Sequence, residues 1–225
     1  MLDNRRLTSW RVRAMFPASV GALALLLIQA PASAAASPAT VCAGTLAPGT
    51  YHSIVVPAGK ICDLGVGPVH VLAGVRVRAG ATFILGFEHG PATGTISGGV
   101  RGANAAQVLV HNARINGGVS LSGGSGPDCA VPFGGPCAND LEDNVINGGA
   151  TLTRYNGVFV GFIRNHVHGS VTISHNIVLD QIDIGTNTVH GSLICIGNDP
   201  LENTGGSPGP SPDSVTGKNT CHEVP

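Results

Sequence analysis

The sequence predicts an all-β fold, a right-handed parallel β-helix of about seven or eight coils in a single-stranded solenoid, preceded by an N-terminal signal peptide. Three observations predict it. A nine-residue motif recurs along the chain, its glycines return about every twenty residues, and apolar residues alternate within each copy.

The motif reads Asn-x-Val/Ile-x-Gly-x-Val/Leu/Ala-x-Ile/Leu and stands at 144–152, 165–173 and 187–195, with Cys195 closing the third copy. Looser copies carry Ile115, Gly117, Val119 and Leu121, and before them Ile96, Gly98 and Val100; a degenerate last copy carries Val215 and Gly217 and ends at Cys221. The glycine intervals give the length of one coil: 19 residues from Gly98 to Gly117, 31 to Gly148, 21 to Gly169, 22 to Gly191 and 26 to Gly217. The two long intervals contain stretches rich in Gly, Pro and Ser, so inserted loops are expected at 123–139 and 199–214. Val56-Pro-Ala-Gly59 and Val77-Arg-Ala-Gly80 repeat a turn 21 residues apart and extend the solenoid toward its start.

Alternation places Val167, Val171 and Ile173 inward and His168, Ser170 and Thr172 outward. Stacked coils lie about 4.8 Å apart, so equivalent residues sit on one another. Asn144, Asn165 and Asn187 then form a ladder that satisfies backbone groups at a bend, and a second row is expected at Asn156, Asn176 and Asn198. Strands over 158–163 and 177–184 would complete the coil. A β-sandwich is the main rival fold, but its strands have no need of Gly and Asn in fixed register. A left-handed solenoid would show a hexapeptide rhythm, which is absent.

The chain opens on Arg5, Arg6, Arg11 and Arg13, an apolar stretch over 14–30 and the small residues Ala32-Ser33-Ala34, the pattern of a cleaved secretory leader over 1–34. Pro17 and the cleavage-type ending argue against a membrane anchor, and no other stretch reads as a span. A secreted, extracellular β-helix domain is therefore expected over 35–225. With 33 Gly, 11% charged residues and a formal net charge of −1, the composition offers no basic field for nucleic acid or an anionic membrane.

All six cysteines follow the leader, and an even count in an oxidising compartment reads as three disulfides. Cys195 and Cys221 each stand four residues beyond a repeat glycine and should meet on adjacent coils. Cys129 with Cys137 would close the first inserted loop, and Cys42 with Cys62 would staple the first coil. Metal binding by these thiols is disfavoured, because no Cys-x-x-Cys pair exists.

The segments 187–198 and 215–221 resemble the closing coils of uncharacterised secreted actinobacterial β-helix proteins, and more distantly the chain resembles the pectin lyase-like superfamily. The resemblance covers most of the mature chain. It implies the architecture and export, and it makes a polysaccharide lyase or glycoside hydrolase the first enzyme to consider. The Ca²⁺-binding Asp cluster with Arg of such lyases, and the Asp-rich and Gly-His-Gly signatures of such hydrolases, are absent here.

Three groups of residues carry candidate chemistry. His166, His168, His175 and His190 cluster in the repeats, with His168 and His190 in one outward column whose other members are Asn116, Asn147 and Thr216. No carboxylate is fixed beside them, so an exposed polar ladder is the expectation, with no metal and no cofactor. Asp180 and Asp183 are the best carboxylate pair, and Asp140 should stack near Asp183 if the inserted loop preserves register; no catalytic residue is assigned. Ser120, Ser122, Thr151, Thr153, Thr172 and Ser174 project hydroxyls from three consecutive coils, an array that ends at Ile194 and Ile196, which should face outward beneath the 199–214 loop. Such a lattice suits ice or crystalline polysaccharide. The reading that follows is a non-catalytic extracellular structural or surface-binding protein with cell-wall or extracellular polysaccharide as its suggested partner.

Overall fold

The structure, a computed structural model, describes residues 37–64, 67–86, 94–125, 128–129, 135–204 and 212–221, with backbone alone for 128–129 and 135–136. The segment read as a leader lies outside the described residues. No described helix is long and apolar enough to cross a membrane.

From residue 37 onward the chain is a parallel β-solenoid of about seven turns. Each turn contributes one short strand to each of three sheets of eight, seven and eight strands. The first sheet runs from Thr40–Val41 through Val119–Ser122, Ala150–Thr153 and Val171–Ser174 to Leu193–Ile196. The second includes Gln107–His111, Ala138–Glu142, Phe159–Ile163 and Gln181–Gly185. The third includes Ala113–Ile115, Val145–Ile146, His166–Val167, Thr188–Val189 and Ser214–Val215. All pairings in these sheets are parallel; the antiparallel pair, Asp128–Cys129 with Gly135–Pro136, lies in the first insertion. This arrangement excludes the sandwich.

The motif sets the register. Ala150 pairs with Val171 and Val171 with Leu193, while Leu152, Ile173 and Cys195 follow one another in the same core column. Val167, Val171 and Ile173 have no measurable exposure, as alternation requires. The repeat glycines mark the closest approach of successive coils. A Cβ on Gly148 would lie 2.8 Å from the carbonyl of Gly117, and one on Gly169 would lie 2.7 Å from that of Gly148. Gly148→Ala should therefore destabilise the fold by about 1–3 kcal/mol through forced coil separation. An unchanged urea midpoint would show that the corner has slack.

The other two corners turn on residues with positive φ. Asn112, Asp143, Arg164 and Thr186 form one such column, with φ from 54 to 57°. Arg154 and His175, at 56° and 55°, join Gly197, at 62°, in the second. Each bend directs the next residue into the interior, where its side chain meets backbone groups of neighbouring coils. Asn144, Asn165 and Asn187 are buried there. Asn165 Oδ1 accepts from the Asn144 N–H at 3.1 Å, and Asn165 Nδ2 donates to the Leu141 carbonyl at 2.8 Å. Asp213 ends the ladder, its Oδ1 accepting from Asn187 N–H and Nδ2 at 2.9 and 2.8 Å. Burial pushes the Asp213 carboxyl up from its usual range, against the pull of these two bonds.

The second ladder differs from expectation at its first member. Asn176 and Asn198 are linked, but the Tyr155 N–H donates to Asn176 Oδ1 at 3.0 Å, so Tyr155 fills the position assigned to Asn156. Asn156 is exposed and bridges to Ser125, because the bend falls at Arg154, one residue earlier than the asparagine suggested. Tyr155 is buried and donates its hydroxyl to the Ala106 carbonyl at 2.7 Å.

Insertion boundaries are also narrower than expected. Ala138 and Asn139 already belong to a second-sheet strand, because their side chains are buried against it. Asp199 and Asn203 keep register with Ile177 and Asp183, and Ser214 pairs with Thr188. The expected strand over 177–184 is realised as Gln181–Gly185, with Ile177 contributing one isolated bridge.

Two disulfides join neighbouring coils, Cys42 with Cys62 and Cys195 with Cys221, at Cα separations of 5.3 and 4.7 Å. Cys137 is also disulfide-bonded; the side chain of Cys129, its expected partner, lies outside the described residues.

Candidate functional site

The outer face of the first sheet carries two columns flanking the buried one. Ser120, Thr151 and Thr172 are in direct register, and so are Ser122, Thr153 and Ser174. The hydroxyl array thus exists as three rungs. Ser174 departs from it in access: it closes its strand at the bend into His175 and is only 8% exposed. At the C-terminal end the array stops at Ile194 and Ile196, and Ile196 is 55% exposed rather than covered, since 199–204 continue the coil instead of folding over this face.

The opposite end holds residues that sequence reasoning missed. Arg101 pairs with Ser120 on one side and with Arg76 on the other, so two guanidinium groups continue the Ser120 column one strand spacing at a time. Arg78 lies two residues after Arg76, on the same face. Together with Ser120 and Ser122 these arginines line a recess of about 420 Å³. All three are exposed, and among the described residues no carboxylate forms an ion pair with them. The signal was available in the turn shared by Val56 and Val77, which places Arg76 and Arg78 outward on either side of Val77.

Acidic residues gather on the outer face of the second sheet. Asp140, Gly161 and Asp183 occupy one column, so Asp140 and Asp183 are two coils apart, about 9.5 Å between backbones. A Cβ on Gly161 would lie 2.1 Å from Asp140 Oδ1, which means that the Asp140 carboxylate leans over the glycine along the column. Asp140 is 6% exposed, and His111 Nε2 lies 3.3 Å from its Oδ2. Asp183 accepts from Gln181 Nε2 at 2.8 Å and Asn203 Nδ2 at 3.0 Å. Burial pushes the Asp183 carboxyl above its ordinary range, and the charges of Asp180 and Asp140 push the same way while the Asn203 bond opposes. Burial likewise raises Glu142, with Asp140 adding to it and His111 and Arg164 drawing it back. Arg164 grips Asp143 through two bonds of 2.8 and 2.9 Å and holds its carboxyl below the usual range.

Of the four histidines, three converge on the third sheet. His166 and His168 flank the buried Val167 on one outer face, and His190 follows His168 on the next coil. Their ring centroids are 5.0 to 5.3 Å apart. His190 Nε2 lies 3.3 Å from His166 Nε2. His175 stands apart at a bend, with its ring beside Gly197. In the column below, Asn147 Nδ2 donates to Asn116 Oδ1 at 2.9 Å, so the polar ladder changes from asparagine to histidine within a single coil step.

Comparison with protein-family models, with curated proteins and with solved structures finds no match to this chain.

Proposed function

We propose that this protein is a secreted, extracellular, non-catalytic β-helix that holds an extended anionic polysaccharide against its first sheet. One observation carries the reading: Arg76 and Arg101 stand in the same column as Ser120, Thr151 and Thr172, without partner carboxylates among the described residues. Guanidinium groups pair well with carboxylate or sulfate, and a row of hydroxyls at one strand spacing offers donors and acceptors to sugar hydroxyls beyond them. A local basic row of this kind is compatible with a net charge of −1, because steering depends on the nearby field. Ice binding is less favoured, since the hydroxyl array spans three coils and is bounded by arginine and isoleucine.

Affinity electrophoresis through gels containing polygalacturonate, alginate or neutral dextran tests the reading, with product analysis on the same mixtures. Retardation is expected in the acidic gels alone, declining with added salt. The double substitution Arg76→Gln with Arg101→Gln should weaken it about tenfold. Equal mobility in every gel would overturn the proposal.

A second reading, a hydrolase acting on polysaccharide as the pectin lyase-like resemblance suggests, is favoured by the Asp140–Gly161–Asp183 column. Burial raises the Asp183 and Glu142 carboxyls, the direction in which a general acid is tuned. Release of oligosaccharides that Asp183→Asn abolishes would favour this reading over retention.

A further inference from the structure

We infer that His166, His168 and His190 form a three-imidazole site for a borderline divalent transition metal such as Zn²⁺ or Cu²⁺. The site lies on the third sheet and stands independently of the polysaccharide reading. Three features of its geometry argue for a ligand set over a plain polar ladder.

The first is convergence: one nitrogen from each ring falls within 4.8 Å of the others. The second is orientation. His168 and His190, neighbours on adjacent coils, are tilted by 50° instead of stacking face to face, and His166 meets His168 and His190 edge-on at 89° and 66°. The third is spacing. Metal–nitrogen bonds of about 2.0–2.1 Å in a tetrahedron place two ligand nitrogens about 3.3–3.4 Å apart. His190 Nε2 and His166 Nε2 are at 3.3 Å. His168 is exposed, and its ring centroid lies 5.0 Å from that of His166 and 5.3 Å from that of His190.

The backbone supports this arrangement rigidly. His166 and His168 are held in place by Val167 between them, which is fully buried, and the His190 N–H donates to the Val167 carbonyl at 2.9 Å. The relative heights of the three imidazoles are therefore set by the ladder itself, which lowers the ordering cost of binding. Neutral imidazoles without a carboxylate select zinc and copper over calcium and magnesium, which require oxygen ligands. Three protein ligands leave a fourth position for water or an exogenous group.

The test uses the mature protein without a histidine tag. Calorimetric titration with Zn²⁺ should give one site per chain, and Co²⁺ should give the visible absorption bands of a four-coordinate ion. Ca²⁺ should give neither. His190→Asn and His168→Asn should each lower Zn²⁺ affinity more than about tenfold. Asparagine already occupies this column at Asn147 and Asn116, so both variants should fold, and their metal-free thermal midpoints should match the parent. His175→Asn should bind as the parent does. Affinity should fall on acidification from about pH 7.5 to about pH 5, because protons compete for the same nitrogens. Absence of a stoichiometric site, or binding that survives both His190→Asn and His168→Asn, would overturn the inference; loss of the site in His175→Asn would also overturn it.

Discussion

Ile173→Asp should leave the protein without a cooperative unfolding transition, whereas Thr172→Ala, one residue away, should shift stability by less than about 0.5 kcal/mol. Ile173 has no measurable exposure and is stacked between Leu152 and Cys195. A carboxylate in that column meets only apolar neighbours above and below. Transfer of even a neutral polar group to such surroundings costs about 2–7 kcal/mol, and an unpaired charge costs far more. Domains are stable by only about 5–15 kcal/mol, so the substitution consumes most of that margin. Thr172 faces outward, with Thr151 and Ile194 as its register partners. Thermal melts followed by circular dichroism distinguish the two. A cooperative melt for Ile173→Asp near the parent midpoint would mean that the apolar columns do not hold the coils together.

Asn165→Leu should be the most damaging exchange at the bends, for a reason separate from volume. Asn165 Oδ1 accepts from the N–H and Nδ2 of Asn144, and its Nδ2 serves the Leu141 carbonyl and Asn187 Oδ1. Leucine fills the space but leaves the Asn144 N–H buried without a partner, at about 1–3 kcal/mol, and takes the side-chain donor away from the Leu141 carbonyl. The comparison is Asn116→Leu, which removes one asparagine-to-asparagine bond of the same type from an exposed column. That loss should stay below about 1 kcal/mol, since water replaces the partner. Urea denaturation should show a large fall in midpoint for Asn165→Leu and a small one for Asn116→Leu. Equal falls would assign the stability to side-chain stacking in general, with no special weight on buried backbone groups.

The solenoid was legible because its determinants repeat. A glycine that admits no Cβ and an alternating apolar strand in each motif copy, with a buried asparagine in the copies that begin at Asn144, Asn165 and Asn187, are visible as spacing, and register then follows for the hydroxyl columns and for Cys195 with Cys221. Where the period is broken or degenerate, legibility fails. The 31-residue interval before Gly148 concealed how Asp140 aligns, so its lean over Gly161 toward Asp183 emerged only from the strand pairing. Arg76 and Arg101 lie in the early coils, where the motif is weakest, and their alignment with Ser120 depends on pairings across unequal turns. The bends were hidden for a chemical reason. Positive φ is expected of Gly or Asn, yet Arg164, His175 and Thr186 adopt it, and the asparagine that advertises each bend is the residue after it. This offset also produced the misplacement of Asn156. The histidines could be assigned to columns, but whether their nitrogens converge depends on ring inclination, which spacing does not encode.

The three parallel sheets also determine how the molecule would carry a load. Their interstrand bonds all lie along the solenoid axis, so tension applied end to end is shared at every interface by three walls acting together. A sideways force is borne unequally, by whichever wall is stretched. Because each interface is a separate link in one series, rupture begins at the weakest rung, and the first and last described rungs are clamped covalently by Cys42–Cys62 and Cys195–Cys221. The described solenoid is therefore covalently reinforced at its first and last rungs.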